Sequence, residues 1–492
     1  MILKSKIRMF VCTAASLTTA PAHLLAMDDF LPYQAIGIGS YPESVAIGDI
    51  NNDGRNDVVL TTSYYFDPDN DFKLFVFSQA DDGTLSAPLK YSTSGSYVSA
   101  PVSVDIADMN NDGLMDVIVG EKGAGIEVFY QDETGNLSSD SFLSTPFSLR
   151  IRAGDLNGDG LTDIAGIGWA GSDVGVFLQN SNGTLEFSDS YYAPHGGYDD
   201  LELGDVNNDG LTDIVVMSGQ SYSYDNLAVL TQDIFGTFSA AEFYDLGGNE
   251  LTRGVGIGDV NDDGLADVAV SYGGNTPYSH IAIFAQTTEG DLSEPTSLVS
   301  YDIPESLGIA DVTGDQNPDI LVLHGGWSRL GVYEQLTDGT LAAEALYPIP
   351  YASHYNPHGL AVGDINSDGM ADVVIADYNN GLVTLLNGNQ PLPPANEAPI
   401  SNAGEDRYVR SRRAVVLDGT SSYDPDGILT GYSWQQISGT PVHLYQVSTP
   451  GIVMFRAPRT HRDERDTLVF ALTVTDDDGA SSSDQVSIQV RR

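Results

Sequence analysis

Short apolar segments alternate with polar turns along most of this chain. Two Val- and Ile-rich runs flank each of several strongly polar loops, as residues 44–47 and 57–60 flank the first. These runs are nearly continuous in apolar residues, which is typical of strands that are covered on both faces. A third apolar run (73–77), a turn built on Asp-Gly or Asn-Gly and a fourth segment (86–91) follow. Each unit therefore predicts four antiparallel β-strands.

The unit recurs seven times, at intervals of 47 to 59 residues. Four strands at this period are typical of one blade of a β-propeller. The seventh unit ends at residues 382–386 without a fourth strand, whereas residues 30–44, near the other end of the chain, have the pattern of a fourth strand and its linker. The sequence therefore predicts an all-β fold, a seven-bladed β-propeller closed by an N-terminal strand. An open solenoid would need capping units, which the sequence lacks.

The two ends of the chain differ from the repeats. Three cations, Lys4, Lys6 and Arg8, precede an apolar run at residues 9–26, which predicts a secretory signal peptide. This run is short and contains Pro21, which argues against an uncleaved membrane anchor. The C-terminal residues form short alternating runs with Asp-Gly turns, as in a small immunoglobulin-like β-sandwich. The predicted domains are a signal peptide (1–26), the propeller (27–390), a proline-rich linker (391–399) and the β-sandwich (400–492).

Composition narrows the choice of partner. Asp and Glu number 69 against 21 Lys and Arg, which gives a formal net charge of −48 at pH 7. Such a surface repels nucleic acid phosphates and anionic lipid headgroups, so we expect cations and no nucleic acid as partners. After removal of the signal we expect no membrane span. The single cysteine, Cys12, lies in the predicted signal, so we expect the mature protein to have no disulfide, and bound metal is one other way to stabilise it.

The seven polar loops share one pattern of oxygen-bearing side chains. Counted from the first Asp, positions 1, 5 and 9 are Asp in every loop, position 3 is Asn in six loops and position 6 is Gly in six. Ca²⁺ takes about six to eight oxygen ligands, and such a turn supplies them, with a backbone carbonyl from position 7. The predicted ligands, at positions 1, 3, 5, 7 and 9 of each loop in turn, are Asp49, Asn51, Asp53, Arg55, Asp57, Asp108, Asn110, Asp112, Leu114, Asp116, Asp155, Asn157, Asp159, Leu161, Asp163, Asp205, Asn207, Asp209, Leu211, Asp213, Asp259, Asn261, Asp263, Leu265, Asp267, Asp311, Thr313, Asp315, Asn317, Asp319, Asp364, Asn366, Asp368, Met370 and Asp372.

Other interpretations of the loops fit less well. Mg²⁺ keeps more of its waters, and soft metals prefer Cys or His. An EF-hand loop has Glu at position 12 and helical flanks, whereas position 12 of the first loop is Leu60 and the flanks are strands. A metal-free Asx-rich turn would leave three carboxylates unneutralised. That alternative stays open for the sixth loop, which has Thr313 and Gln316 at positions 3 and 6, so we expect six or seven Ca²⁺ ions.

These loops resemble the calcium loops of FG-GAP/VCBS repeats, which occur in integrin α-subunit propellers and in many secreted bacterial proteins. The resemblance covers roughly residues 30–390 and implies a seven-bladed propeller with one Ca²⁺ per loop. The Phe-Gly and Gly-Ala-Pro elements that name the family are not clearly present, so the chain is closer to the bacterial VCBS type. The tail, with LDGTSSYDPDG, YSWQQISG and LTVTDDDGASSSD, is similar to PKD-type immunoglobulin-like modules.

Strand direction separates two faces of the predicted disc. The acidic loops and the turns between strands 3 and 4 lie on one face, and the strand 2–3 connections and blade linkers lie on the other. Aromatic rings gather in the second set, which also contains Tyr272, His324 and His358. Rings on rigid loops suit recognition of sugars or proteins, although single rings can instead pack into blade cores. The predicted ligand face comprises Tyr65, Trp169, Tyr224, Tyr278, Trp327, Tyr355 and Tyr378.

The sequence favours an exported, calcium-binding propeller that acts as a binding or adhesion module for an extracellular or envelope glycan or protein. It would reside in the periplasm, at the cell surface or outside the cell. A secreted carbohydrate-active enzyme, either a polysaccharide lyase or a glycosidase, is the alternative. A structural component of a surface assembly is a third interpretation.

Few residues outside the loops indicate catalysis. Asp200 and Glu202 lie near His195 in sequence and could form an acid–base set, but no nucleophile motif accompanies them. Arg150 and Arg152 are rare cations in the propeller. They either line the central channel and meet an anionic ligand, or they offset neighbouring carboxylates.

Overall fold

The computed structural model describes residues 30–169, 172–193, 200–218, 226–246, 251–352, 356–388, 398–425, 429–446, 449–460, 465–476 and 480–492. The chain forms two compact units, Met1–Pro391 and Leu392–Arg492. The predicted signal peptide and most of the predicted linker lie outside the described residues. Within them, no helix has the length and apolar character needed to cross a membrane.

The described part of the first unit contains seven four-stranded antiparallel sheets, which we number as blades 1 to 7 in the order of their acidic loops. Its strands are β1 (Gln34–Ile36), β2 (Pro42–Gly48), β3 (Asp57–Thr62), β4 (Lys73–Phe77), β5 (Leu89–Ser92), β6 (Pro101–Ala107), β7 (Asp116–Glu121), β8 (Gly125–Gln131), β9 (Leu137–Ser144), β10 (Arg150–Gly154), β11 (Asp163–Ile167), β12 (Asp173–Gln179), β13 (Leu185–Tyr192), β14 (Asp200–Gly204), β15 (Asp213–Met217), β16 (Leu227–Leu230), β17 (Glu242–Tyr244), β18 (Thr252–Gly258), β19 (Asp267–Gly273), β20 (Ser279–Phe284), β21 (Thr296–Val299), β22 (Leu307–Ala310), β23 (Asp319–His324), β24 (Arg329–Tyr333), β25 (Ala345–Pro348), β26 (Leu360–Gly363), β27 (Asp372–Asp377) and β28 (Gly381–Leu385), with one 3-10 helix at Gly325–Trp327.

The innermost strands of the blades form a closed ring. Each contacts the innermost strand of the next blade, from β2 through β6, β10, β14, β18 and β22 to β26, and β26 contacts β2. In blade 7 the outer strand is β1, which pairs with β28 so that Gln34 faces Thr384 and Ile36 faces Leu382. The predicted all-β propeller, closed by an N-terminal strand, is confirmed.

Apolar side chains of successive blades pack against one another. Strands β3, β7 and β27 are buried along their whole length, which explains their nearly continuous apolar sequences. Across the closure of the ring, Phe75 and Phe77 of blade 1 share a cluster with Val374 and Leu382 of blade 7. Burial of each such large side chain stabilises the fold by about 1.5–3 kcal/mol. The joints between blades are therefore the hydrophobic core of this unit.

The second unit is a β-sandwich of a four-stranded sheet, in the order β29-β35-β34-β31, and a three-stranded sheet, in the order β30-β33-β32. Phe455 and Phe470 meet between the sheets with ring centroids 4.8 Å apart, and Nε1 of Trp434 donates a hydrogen bond to the Gly451 carbonyl at 2.9 Å. Its strands are β29 (Arg407–Arg410), β30 (Ala414–Asp418), β31 (Leu429–Ser438), β32 (Tyr445–Gln446), β33 (Ile452–Arg456), β34 (Asp466–Asp476) and β35 (Ser481–Arg491).

Candidate functional site

The acidic loops share a backbone geometry that the second loop illustrates. The carboxylate of Asp108 accepts hydrogen bonds from the backbone N–H groups of Asp112 at 3.2 Å and Gly113 at 2.8 Å. Oδ1 of Asn110 accepts from the Asp112 N–H, and Oδ1 of Asp112 accepts from the Leu114 N–H, both at 2.9 Å. Gly113 has a φ of 85°, which glycine adopts without strain. Positions 1, 3 and 5 thus direct their oxygens toward the inside of one tight turn.

The ninth-position aspartate closes each loop from the start of the next strand. Asp116 is fully buried, and its carboxylate accepts hydrogen bonds from the backbone N–H groups of Met109 and Gln131, both at 2.8 Å. Burial raises the pKa of Asp116 to about 6; the two backbone bonds lower it, and the charges of Asp112 and Asp108 raise it. Burial likewise raises the pKa to about 6 at Asp57, Asp163, Asp267 and Asp372, and to about 7 at Asp213 and Asp319.

The residues of the loops fit a cation with oxygen ligands. Each loop brings three carboxylates and one amide or hydroxyl oxygen together, without nitrogen or sulfur ligands. Among the described residues of the first loop, Oδ1 of Asn51 and Oδ2 of Asp57 are buried without a hydrogen-bond partner. A cation would bind such oxygens and offset the repulsion among the carboxylates. The identity of the ion, and the ligand roles assigned to these loops, stay predictions.

On the opposite face, loops of blades 7 and 1 bring aromatic rings together. Tyr41, in the linker before β2, stacks on Tyr378, which follows β27; their ring centroids are 4.0 Å apart and the planes differ by 9°. Tyr65 contacts Tyr41 at 4.6 Å and is 53% exposed. The stack therefore bridges the point at which the ring closes.

A second group of rings adjoins the first in blade 1. Tyr64 contacts Phe66 at 4.5 Å and Tyr97 at 5.2 Å, and Phe66 and Tyr97 are largely exposed. A cavity of about 440 Å³ lies beside them and is lined by Tyr64, Phe66, Pro68, Asp71, Phe72, Lys73, Thr93 and Gly95. We call Tyr41, Tyr64, Tyr65, Phe66, Tyr97 and Tyr378 the aromatic surface.

The loop that carries three of these six rings is held in place by one buried carboxylate. Asp71 is 5% exposed and accepts hydrogen bonds from the Ser40 hydroxyl at 2.6 Å and from the backbone N–H groups of Tyr65 at 2.8 Å and Asp67 at 2.9 Å. Phe66 has a φ of 61°, an uncommon conformation for a bulky residue. A strained residue held by such bonds is typical of binding sites. The rings are thus presented on an ordered loop.

The other predicted ligand-face residues are dispersed. Trp169 is exposed in blade 3, with the Lys122 ammonium 3.4 Å from its ring centroid, and Tyr278 and Trp327 are exposed in blades 5 and 6. Tyr224 and Tyr355 lie outside the described residues. Sequence reasoning missed Tyr41 and Tyr97, although both lie in linkers into a first strand, where aromatic residues were expected.

Three residues assigned to the aromatic set are buried instead. Tyr272 stacks on His280 with ring centroids 5.4 Å apart. His324 is fully buried, with Nε2 2.8 Å from the Glu344 carboxylate and Nδ1 3.1 Å from the Asp302 carbonyl. These two rings pack inside their blades, which is the alternative that the sequence analysis gave for single aromatic residues. The third residue, His358, lies in the central channel.

The central channel is lined by the residue three places before each acidic loop. Three successive blades have charged residues there, Asp105, Arg152 and Glu202, and the other four have Ala46, Gly256, Gly308 and Ala361. Nε of Arg152 donates to Oε2 of Glu202 at 2.9 Å, and Nη2 donates to Oε1 at 2.5 Å. Arg152 therefore offsets the charge of neighbouring carboxylates, which is the second of the two roles expected for it from the sequence. A cavity of about 220 Å³ lies beside the pair.

A buried histidine extends this channel network. Nδ1 of His358 lies 3.1 Å from Nη1 of Arg152, and Nε2 lies 2.7 Å from Oδ1 of Asp200. Burial, with the charges of Arg152 and Arg150, lowers the pKa of His358 well below its usual value. Because guanidinium nitrogens only donate, Nδ1 accepts and the proton of the neutral ring lies on Nε2.

Asp200, Glu202 and His358 bring ligand atoms within 4.8 Å of one another. They fit a metal ion poorly, because the Arg152 guanidinium already pairs with Glu202 and lies 3.1 Å from Nδ1 of His358. Asp200, which was expected in an acid–base set, is instead buried and accepts hydrogen bonds from backbone N–H groups. His195, the histidine expected beside it, lies outside the described residues.

Comparison with known protein families identifies the family of the first unit. The profile of the FG-GAP-like repeat matches residues 49–119, 108–166, 155–216, 205–270 and 311–375, which is more than half of the chain. The chain belongs to the FG-GAP-like repeat family. All seven acidic loops of this FG-GAP-like protein lie within the matched segments, and the profile of a PKD domain matches residues 403–490. The architecture is that of an extracellular type of binding module.

Known relatives of this FG-GAP-like protein share only part of it. Low-density lipoprotein receptor-related protein 11 is 36% identical over 105 residues in Mus musculus and 36% identical over 103 residues in Homo sapiens. Each match covers 21% of this chain, and the chain spans about a fifth of the length of these relatives.

A solved structure of a nucleoside hydrolase-related hypothetical protein from Saccharophagus degradans, associated with carbohydrate metabolism, is 20% identical. The match covers 20% of this chain and 26% of that one, with a TM-score of 0.17.

Proposed function

We propose that this protein is an exported, calcium-stabilised propeller that binds a neutral glycan through the aromatic surface. The acidic loops hold the ions and stabilise the blades. The opposite face presents the ligand site. The FG-GAP-like and PKD matches support a binding module of extracellular type, and the apolar run after Lys4, Lys6 and Arg8 supports export.

The aromatic surface is the observation that carries this proposal. The stack of Tyr41 on Tyr378, with Tyr65 tilted against it, presents flat, partly exposed rings. The adjacent Tyr64 and Phe66 line a cavity large enough for a small ligand. Aromatic faces carry a partial negative charge, so the weakly positive C–H groups of a pyranose ring pack well on them. The asparagine, aspartate and lysine side chains of the 67–73 loop supply polar groups for the sugar hydroxyls.

Charge favours a neutral ligand. The net charge of −48 repels polyanions such as acidic polysaccharides and nucleic acids. In the described part of the aromatic surface and its cavity, Lys73 is the cation that lines the cavity, and its ammonium donates to the Ser92 hydroxyl at 3.0 Å. The site therefore lacks the arginine clusters that bind acidic groups.

A glycan array probed with the full chain tests the proposal. We expect retention on neutral glycans, with affinity weakened about tenfold or more by Tyr41→Ala and by Tyr64→Ala, because aromatic residues dominate such sites. Tyr278→Ala, at an exposed ring of blade 5, is the matched control and should bind as the wild type does. Equal binding by all three variants, or no retention on any glycan, would overturn the glycan assignment. Sequencing of the mature N-terminus tests export.

A further inference from the structure

In blades 1 to 6, the turn between strands 3 and 4 packs on the acidic loop of the preceding blade. At Gly236 of blade 4, a Cβ atom would lie 2.8 Å from Cβ, 2.9 Å from Cα and 3.0 Å from O of Asn157, the third position of the blade 3 loop. The same contact recurs around the ring, with Gly83 on Asn366, Gly135 on Asn51, Gly183 on Asn110, Gly290 on Asn207 and Gly339 on Asn261.

A glutamine lies four residues before each of these glycines, and in blades 4, 5 and 6 its side-chain amide donates to the preceding blade. Gln232 is 3% exposed; its backbone N–H donates to Asp213 of its own loop at 2.9 Å, and its Nε2 donates to the Asp155 carbonyl of the preceding loop at 3.4 Å. Its Oε1 is buried without a hydrogen-bond partner, 4.0 Å from where a Cβ of Gly158 would lie. Gln286 and Gln335 donate in the same way, to the Asp205 and Asp259 carbonyls at 3.1 and 3.0 Å.

We propose that each acidic loop and the glutamine and turn of the next blade form one two-blade unit, in which calcium bound to the loop stabilises the joint to the next blade. The proposal rests on the calcium binding proposed above. An ion would fix the loop backbone at positions 1 and 3, and the next blade contacts that same backbone through the glutamine amide and the turn glycine. A ligand that orders one side of a packed contact stabilises the other side by linkage.

The sixth loop is the exception in both sequence and structure. The residues of blade 7 that correspond to the glutamine and the turn glycine are Asn387 and Pro391, and Pro391 lies outside the described residues. Nδ2 of Asn387 donates to the Val312 carbonyl, at position 2 of the sixth loop, at 2.7 Å. The side chain of Met370 packs there, with Cε 2.7 Å from where a Cβ of Gly314 would lie.

This exception coincides with the closure of the ring. The sixth loop has Thr313 instead of Asn at the position on which a turn would pack. The joint between blades 6 and 7 is instead held by the N-terminal segment, since Phe30 contacts Tyr347 of blade 6 with ring centroids 5.0 Å apart. Because blade 7 has no turn glycine on position 3, calcium in the sixth loop would be coupled to blade 7 more weakly, through Asn387 and Met370.

Hydrogen exchange of the full chain, followed by mass spectrometry with and without calcium, tests the direction of this coupling. In Asp159→Asn, we expect calcium-dependent protection to be lost from the blade 3 loop (155–163) and from the blade 4 turn (232–238). The turn of blade 3 itself (180–184), which packs on the second loop, should keep its protection. In Asp315→Asn, protection should be lost from the sixth loop (311–319), and the loss from blade 7 should be smaller than the loss from 232–238 in Asp159→Asn.

A second pair of variants leaves the acidic residues intact. Gly236→Ala should raise the calcium concentration needed to protect residues 155–163 by roughly tenfold, an ordinary size for coupling between sites. Gly123→Ala is the matched control, because Gly123 also has a positive φ, of 70°, and a Cβ there meets nothing within 4 Å. It should leave that concentration unchanged.

The three ways in which this proposal can fail are distinguishable. If calcium protects no loop in the wild type, the calcium binding itself is wrong. If calcium protects the loops but Asp159→Asn leaves the 232–238 turn protected, or deprotects 180–184 equally, the two-blade unit is wrong. A loss of protection in blade 7 of Asp315→Asn as large as that from 232–238 in Asp159→Asn would overturn the exception made for the sixth loop.

Discussion

Nε of Arg152 donates to Oε2 of Glu202 at 2.9 Å across the joint between blades 3 and 4. The guanidinium is the positive group among Asp105, Asp200 and Glu202, so its loss would leave carboxylates facing one another in the channel. We expect Arg152→Met to lower the free energy of unfolding by about 3 kcal/mol, since removal of one partner leaves an uncompensated partly buried charge. Urea unfolding measures this change. Lys90→Met, at an exposed cation, should change it little, and equal effects of the two would contradict a role for the ion pair.

The buried residues Glu121 and Glu127 predict that the stability of the fold depends on pH. Burial, with the charge and hydrogen bond of Glu127, raises the pKa of Glu121 to about 8, while Glu127 accepts a hydrogen bond from the Ser94 N–H at 2.8 Å. Between the unfolded pKa of 4.5 and about 8, the folded state holds a proton that the unfolded state has released, so stability falls as pH rises through this window.

We expect the contribution of Glu121 to this slope to approach about 1.4 kcal/mol per pH unit in the middle of the window. Glu121→Gln should remove it, so that the variant gains stability relative to the wild type from pH 5 to pH 8. Denaturant unfolding across this range, with chelator in every sample, gives the comparison. Parallel curves for the two proteins would show that Glu121 ionises normally.

Calcium removal should destabilise the propeller. Extracellular calcium modules have dissociation constants of about 10⁻⁴–10⁻³ M, so about 10 mM Ca²⁺ should stabilise each loop by roughly 1.4–2.7 kcal/mol. Thermal melts with Ca²⁺ and with a chelator should differ by many degrees, and Mg²⁺ should restore little of the difference. Asp209→Asn, in the fourth loop, should shrink the calcium-dependent shift without changing the melt in chelator much. An unchanged melting temperature on chelation would refute calcium binding.

Gln316 occupies a position at which six other loops have glycine. Its φ is 74°, in a region that costs a residue with a Cβ atom about 1–2 kcal/mol. We expect Gln316→Gly to raise the free energy of unfolding by about 1 kcal/mol, even in chelator, because it relieves backbone strain. The converse substitution Gly264→Gln, at a φ of 81° in the fifth loop, should lower stability by a similar amount. Urea unfolding in chelator checks both, and a destabilised Gln316→Gly would mean that the side chain makes a compensating contact.

The repeats made most of the fold predictable. Each acidic loop fixes the end of one strand and the start of the next, so the spacing of the first aspartates predicted the blades, and the missing fourth strand after residues 382–386 predicted the place of β1. Two strands of the sandwich, Arg407–Arg410 and Tyr445–Gln446, have little sequence signal, because they are short and mostly exposed, without a buried alternation.

The binding face was less predictable than the loops. Tyr41 and Tyr378 are far apart in sequence, and their stacking depends on how the ring closes, which no local pattern encodes. His324 and Tyr272 lie in loops of the expected face, yet tertiary contacts bury them. The pairing of Arg152 with Glu202 did have a sequence signal: both lie three residues before an acidic loop, so alignment of the blades places them side by side.

Closure by β1 also imposes an order on the assembly of the chain. β1 leaves the ribosome first, and its partner β28 follows about 345 residues later. At typical rates of synthesis this separation lasts on the order of 20 to 70 s. During that interval β1 has no partner strand, so the earliest part of the propeller to be made is the last to pair.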